Sequence, residues 1–388
     1  MNAIDAVRDY HDDLVAIRHD LHAHPELGFE EHRTSDIVAA RLAAWGIEVH
    51  RGVGGTGVVG VLRRGNGPAS IGLRADMDAL PIHEATGTEY ASRTAGRMHA
   101  CGHDGHTTML LGAARYLAER GSFNGTVNFI FQPAEEGLGG ATAMLGEKLF
   151  EKFPCDSVFG MHNYPGLPVG KFAIRPGPMM AAAAFFDITV TGKGAHAARP
   201  EQSTDPVLAA AAITGALQSI VSRNIKPSEA AVLSVTCLQA GNAYNVIPET
   251  ALIRGTARCF KRETMALIEE KMQLVASHVA AGFGATAALD FRLVFAPLVN
   301  DPAETQAMAG AAAALVGEAH VNLNAEAAMG SEDFSFMLEA CPGAYIGLGN
   351  GEASAPLHND RYDFNDDAIP YGAGLYAALA ETKLPQGV

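Results

Sequence analysis

F-F-D-I-T-V-T-G, residues 185–192, reads as a β-strand, and it is the point at which the order of elements along the chain changes. After it the sequence predicts helix 205–222, strands 231–239 and 250–260, helix 263–282 and strand 287–295. That is β-α-β-β-α-β, the ferredoxin-like order. The short link between the middle strands makes them antiparallel, and residues 185–297 therefore read as an inserted α+β domain with Pro297 marking the return. Outward from it, strands are expected over 54–62, 70–73, 126–132, 157–162 and 344–348. Helices are expected over 6–24, 33–45, 107–120, 140–147, 303–317 and 371–382. This alternation predicts an α/β domain, a mostly parallel sheet flanked by helices, made discontinuously from 1–184 and 298–388. Ligands of such sheets sit beyond the strand C-termini.

The composition bounds the function. The chain has 388 residues, 48% hydrophobic and 18% charged, which suits two folded domains and not a disordered chain. The formal net charge of -15 repels phosphate, so nucleic acid is not expected as a partner. Charges at Asp5, Arg8, Asp9, Asp12 and Asp13 interrupt any signal-like apolar stretch, and no apolar window reaches the length of a membrane span; a cytoplasmic protein is expected. Five scattered cysteines, an odd number, argue against a disulfide framework. The alanine runs at 181–184 and 311–314 read as ordinary packing and helix-forming sequence.

Three motifs carry chemistry. In H-A-C-G-H-D-G-H, residues 99–106, Cys101 and His103 can converge on one cation, with the following helix N-terminus favouring the thiolate. The bland reading is a polar helix entrance capped by Asp104 or Thr107; a sharper rival makes Cys101 a nucleophile with His103 as its base. In F-Q-P-A-E-E-G, residues 131–137, adjacent glutamates point differently, so one can bind a cation while the other moves a proton; a solvated helix entrance is the alternative. In I-G-L-R-A-D-M-D-A-L-P-I, residues 71–82, Asp76 and Asp78 share a strand face, where either can hold a ligand imidazole in its tautomer or simply form a turn. His162, closing a strand, and His358, in A-P-L-H-N-D, mean little alone.

Taken with R-H-D-L-H-A-H-P-E-L-G at 18–28, G-M-H at 160–162, G-K-G-A-H-A-A-R-P at 192–200 and G-S-E-D-F at 330–334, these motifs resemble the aminoacylase and carboxypeptidase-G type of dinuclear metallohydrolases. The branch is that of hippurate hydrolase, N-acyl-L-amino-acid amidohydrolases and auxin-conjugate hydrolases. The resemblance spans nearly the whole chain. It implies two divalent cations (zinc, manganese, cobalt or nickel) held by Cys101, His103, Glu136, His162 and His358, with Cys101 bridging. It makes Glu135 the general base and acid and His196 the oxyanion partner, and it places Asn245 and Arg258 against substrate. Many other branches have a histidine where Asp76 stands.

The expected activity is hydrolysis of the amide bond of N-acyl amino acids, a small-molecule substrate, with the inserted domain serving as lid or homodimer contact. A dipeptidase or carboxypeptidase with the same metals is the nearest alternative, and a non-catalytic binding protein of this fold the more distant one.

Overall fold

The structure, a computed structural model, describes residues 2–386, which form two compact units. The first comprises the chain up to Met179, Val299–Glu326 and the chain from Asp333 on; the second comprises Met180–Leu298 with Ala327–Glu332.

The first unit is built on an eight-stranded sheet in the order Glu48–Val53, Gly57–Arg64, Gly125–Gln132, Ser70–Asp76, Ser157–Pro165, Gly343–Gly351, Phe172–Ala173, Val321–Asn322. Its centre is parallel: Ser70–Asp76 runs alongside Gly125–Gln132 and Ser157–Pro165, and the latter alongside Gly343–Gly351. All eight residues of Gly125–Gln132 are buried, the signature of a strand covered on both faces. Helices His11–Ala23, His103–Glu119, Pro302–Val316 and Ile369–Lys383 pack into the same core, which Leu14, Leu73, Leu110, Phe129, Ile346 and Leu375 help fill. Asp76, Gln132 and His162 stand at or near the C-terminal ends of neighbouring parallel strands, so the chemistry-bearing loops emerge along one rim of the sheet.

The second unit has the elements Ala182–Thr191, Pro206–Asn224, Ala231–Ala240, Thr250–Cys259, Arg262–Gly282 and Thr286–Phe295, in β-α-β-β-α-β order. Its four long strands form an antiparallel sheet with the first strand central, Ala231–Ala240 and Thr286–Phe295 lying at the edges. Phe186, Ile188 and Val190 alternate inward from the central strand onto Ile213, Leu217, Ile268 and Met272 of the two helices.

Several local expectations are corrected. The predicted first helix is two, Ala3–Arg8 and His11–Ala23, broken at Asp9–Tyr10 without any glycine or proline to announce it. Strand Glu48–Val53 was not expected; it pairs with Gly57–Arg64 across a turn in which Gly54 and Gly55 have positive φ. Ala182–Ala184, read as packing or helical sequence, open the central strand of the second unit. Helix His103–Glu119 starts four residues before 107, because Gly102 in the left-handed region turns the chain early. Helix Pro206–Asn224 is, contrary to the sequence reading, long and apolar enough by composition to cross a membrane. Within its unit it buries one stripe, Ala209, Ala210, Ile213, Leu217 and Ile220, at the spacing of an amphipathic helix.

Candidate metal centre

Four segments of the first unit deliver the side chains. Gly102, at φ 91, ends the H-A-C stretch and starts a helix, so that Cys101 lies just before the first turn and His103 within it. Ser157–Pro165 carries His162. The turn after Gly125–Gln132 carries Glu135 and Glu136, and His358 rises from a loop at φ 63 with its amide donating to Ala100 O at 2.8 Å.

These residues converge. Cys101, His103 and His162 have ligand atoms within 4.8 Å of one another, and so do Cys101, Glu136 and His358. The two triads share Cys101. Glu135 joins His103 and Glu136 at the same closeness, and Asp76 joins His103 and His106. Cys101 Sγ lies 3.4 Å from His162 Nε2, and Glu136 Oε1 lies 3.2 Å from His358 Nε2. Cys101, His103, Glu135 and His162 are buried, Glu136 is half-buried and His358 is exposed.

The imidazoles are oriented in a way that suits a cation. His103 Nδ1 is 3.1 Å from Asp78 Oδ1, and His162 Nδ1 is 2.7 Å from the Asn163 carbonyl, which only an N–H can satisfy. Both rings thus turn Nε2 toward the cluster, and His103 Nε2 is fully buried with no hydrogen-bond partner. A buried ring nitrogen without a partner, with its other nitrogen held by a carboxylate, is what a metal-ligating histidine looks like before its cation is counted. Thiolate, imidazole and carboxylate together suit zinc and its first-row neighbours.

Asp78 also accepts the Glu136 amide through Oδ2 at 3.0 Å, so one carboxylate orients two of the converging residues. Asp76 takes a different part. Its Oδ1 lies 2.6 Å from His106 Nδ1 and its Oδ2 accepts from Arg74 Nη1 at 2.8 Å, while His103 Nε2 is 3.7 Å away. Burial would push Asp76 up, but His103, His106 and Arg74 hold it well below the usual carboxylate range.

Burial disfavours a charged His103, yet Asp76, Asp78 and Glu136 overcome this and push it up to about 10. His162, buried and beside His106, is driven well below the usual imidazole range and stays neutral. Glu136 raises His358. Without a cation, burial and then Glu136, Glu135 and Asp76 push the Cys101 thiol well up. The histidine at hydrogen-bond distance from Cys101 Sγ is His162, through Nε2 at 3.4 Å, and not His103, so the structure does not make the pairing of Cys101 with His103 as its base. The capping reading also fails in geometry, since Asp104 binds His22 at 2.8 Å and Thr107 Oγ1 donates to Asp76 O.

His106 and Asn163 were missed by sequence reasoning. Asn163 donates from its backbone N and its Nδ2 to His106 Nε2, at 3.1 and 3.0 Å, so His106 must donate Nδ1–H to Asp76. Asn163 also donates to Cys101 O at 2.7 Å and accepts from the Tyr362 hydroxyl at 2.6 Å. His106 could have been flagged as the third histidine of its motif; Asn163 and Tyr362 carry no signal.

The remaining sequence candidates lie in the second unit. His196 is exposed on the two-residue strand Ala195–His196, which pairs with Val246–Ile247, and its Nδ1 accepts from the Ala198 amide. Asn245 lies beside that pair and accepts from the Ala197 amide through its carbonyl. Arg258 stands apart on Thr250–Cys259, its Nη1 donating to Met329 O at 2.9 Å and Ser331 Oγ at 3.1 Å.

Residues 72–382 match the profile of Peptidase family M20/M25/M40. The chain is 45% identical to a hippurate hydrolase of Campylobacter jejuni over 98% of its own length and 99% of the relative's. It is 40% identical to an IAA-amino acid hydrolase (ILR1-like 4) of Arabidopsis thaliana over 97% and 87%, and 39% identical to an N-acetylcysteine deacetylase of Bacillus subtilis over 97% and 98%. Among solved structures it resembles the Bacillus subtilis YXEP protein, described as a dinuclear metal binding peptidase of the M20 family. There the TM-score is 0.85 and the identity 36%, covering 97% of this chain and 99% of that one.

Proposed function

The chain belongs to Peptidase family M20/M25/M40, whose fold and dinuclear metal chemistry it shares, and is a metal-dependent amidohydrolase; we propose that it cleaves N-acyl amino acids to a carboxylic acid and a free amino acid. The observation that carries this reading is the pair of triads sharing Cys101 with a second, adjacent carboxylate beside them.

Cys101, His103, Glu136, His162 and His358 would hold the two cations. When bound, two divalent cations polarise a carbonyl oxygen and make nearby water more acidic. Everything else is the chain's own work. Asp78 and the Asn163 carbonyl fix the tautomers of His103 and His162. Glu135 takes the proton of the attacking water and passes it to the leaving nitrogen, the one group serving both half-reactions. To His196 falls the stabilisation of the oxyanion, and to Asn245 and Arg258 recognition of the amino-acid portion of the substrate. Zinc, manganese, cobalt and nickel all suit the donor set. The second unit serves as lid or as the contact of a homodimer or higher homo-oligomer, through its free sheet edge or its exposed helices, and the protein works in the cytoplasm.

The test is a panel of hippurate, N-acetyl amino acids and dipeptides, assayed after chelation and after each metal is restored. Acyl amino acids should be turned over, and only with metal. Glu135→Gln should keep its metal and lose about 10²- to 10⁴-fold in turnover. Chelator-resistant activity, or dipeptides preferred throughout, would overturn the proposal.

A further inference from the structure

The segment G-S-E-D-F, residues 330–334, has no part in the chemistry so far, and its aspartate occupies an unusual position. Asp333 is fully buried at the start of helix Phe334–Ala340, where a carboxylate ordinarily accepts the amides of its own first turn; here it accepts none of them. Its Oδ1 accepts from Gln132 Nε2 at 2.6 Å and Arg74 Nη2 at 3.3 Å, and its Oδ2 accepts from the Ala141 amide at 2.9 Å. Gln132 is the last residue before the turn that carries Glu135 and Glu136, and Ala141 is the second residue of the helix after it. One carboxylate therefore ties both ends of the turn. The backbone N–H of the same residue points to Glu135 Oε1 at 3.4 Å.

The turn needs outside support. Ala134 has φ 54, a conformation that costs a non-glycine residue about 1 kcal/mol or more, and Gly137 and Gly139 also have positive φ. Arg74, which balances the Asp333 charge, reaches Gln132 Oε1 and Asp76 Oδ2, both at 2.8 Å, so the support is continuous with the floor under His103 and His106.

We propose that Asp333 is a positioning residue for the reaction: by holding Gln132 and Ala141 with its carboxylate and Glu135 with its amide, it fixes the general base at the angle from which a proton can be moved. The inference rests on the assignment of Glu135 as the base. It predicts that Asp333 acts on turnover through Glu135 and not on substrate capture or metal retention.

The experiment is a double-mutant cycle on the metal-loaded enzyme with hippurate, measuring kcat, KM, metal content and thermal midpoint for Glu135→Gln, Asp333→Asn and the pair. Asp333→Asn should keep both metals and its KM within about twofold, and lose about 100-fold in kcat, the scale of a misplaced catalytic group. Added to Glu135→Gln it should cost nothing further, because the group it orients is already gone. Losses that multiply in the pair, or a KM rise with kcat intact, would overturn the proposal. A Glu135→Gln enzyme of full activity would instead sink the base assignment itself. Should Asp333→Asn fail to fold, Gln132→Met removes one tie with the Asp333 charge in place, and the same cycle decides.

Discussion

His22 offers a test of the charge network that lies apart from the metal ligands. The ring is fully buried, with Nδ1 2.8 Å from Asp104 Oδ2 and Nε2 3.2 Å from Glu84 Oε1. Burial disfavours the imidazolium, but Asp104 and then Glu84 outweigh it and raise His22 to about 9. An unfolded histidine titrates near 6.5, so this pairing contributes about 3 kcal/mol, fully present below about pH 6.5 and lost as pH climbs through 9. Asp104 has the opposite sign: burial opposes its charge, yet His22, His99 and Arg18 hold it well below the usual range, so its share disappears only on acidification. The chain has one tryptophan, Trp45, packed against the core that contains His22's helix, so urea unfolding followed by tryptophan fluorescence reports the right unit. At a slope of about 3 kcal/mol/M the wild-type midpoint should fall by about 1 M between pH 6.5 and 9.5, and His22→Gln should remove most of that fall. A midpoint that does not move, or moves equally in both proteins, refutes the reasoning.

Asp78→Asn should weaken metal binding about 10- to 100-fold in chelator competition, because an amide cannot accept from both the His103 ring and the Glu136 N–H. Gly140→Ala should abolish turnover and reduce metal content, since its Cβ would sit 1.6 Å from Pro133 O and the Glu135–Glu136 turn could not close; wild-type metal content in that variant would contradict it. Phe186→Ala should destabilise the second unit by about 3–5 kcal/mol, read by hydrogen exchange of strand Ala182–Thr191.

How far the sequence anticipated this structure follows from what each element needs. Gly125–Gln132 was legible because Val127, Phe129, Ile130 and Phe131, β-branched or aromatic, crowd into one short buried segment. Glu48–Val53 was not, because none of its five residues before Val53 is buried and they carry no alternation. Phe172–Ala173 and Val321–Asn322 are too short to leave a pattern; they exist only because Gly343–Gly351 and each other are there to pair with. At the site, Cys101, His103, Glu135 and Glu136 stood out by type and spacing, whereas His162 and His358 were singled out only through the family resemblance. Arg74 did not stand out, since its partners Gln132 and Asp333 are distant in sequence and a buried arginine in an apolar strand looks like an interruption until they are seen. The start of helix His103–Glu119 was misplaced for a related reason: no side chain caps it, and a glycine with left-handed geometry does the turning.

The discontinuity of the first unit sets an order of events during synthesis. Strand Gly343–Gly351 pairs with Ser157–Pro165, and His358 follows it, so neither the sheet nor the ligand set can be complete until the whole intervening stretch has left the ribosome. The second unit, nearly contiguous, can fold while its host still waits with an open strand edge. A nascent or prematurely terminated chain that stops short of residue 343 therefore exposes Ser157–Pro165, and that fragment is the form of this protein that should occupy chaperones and seed aggregates.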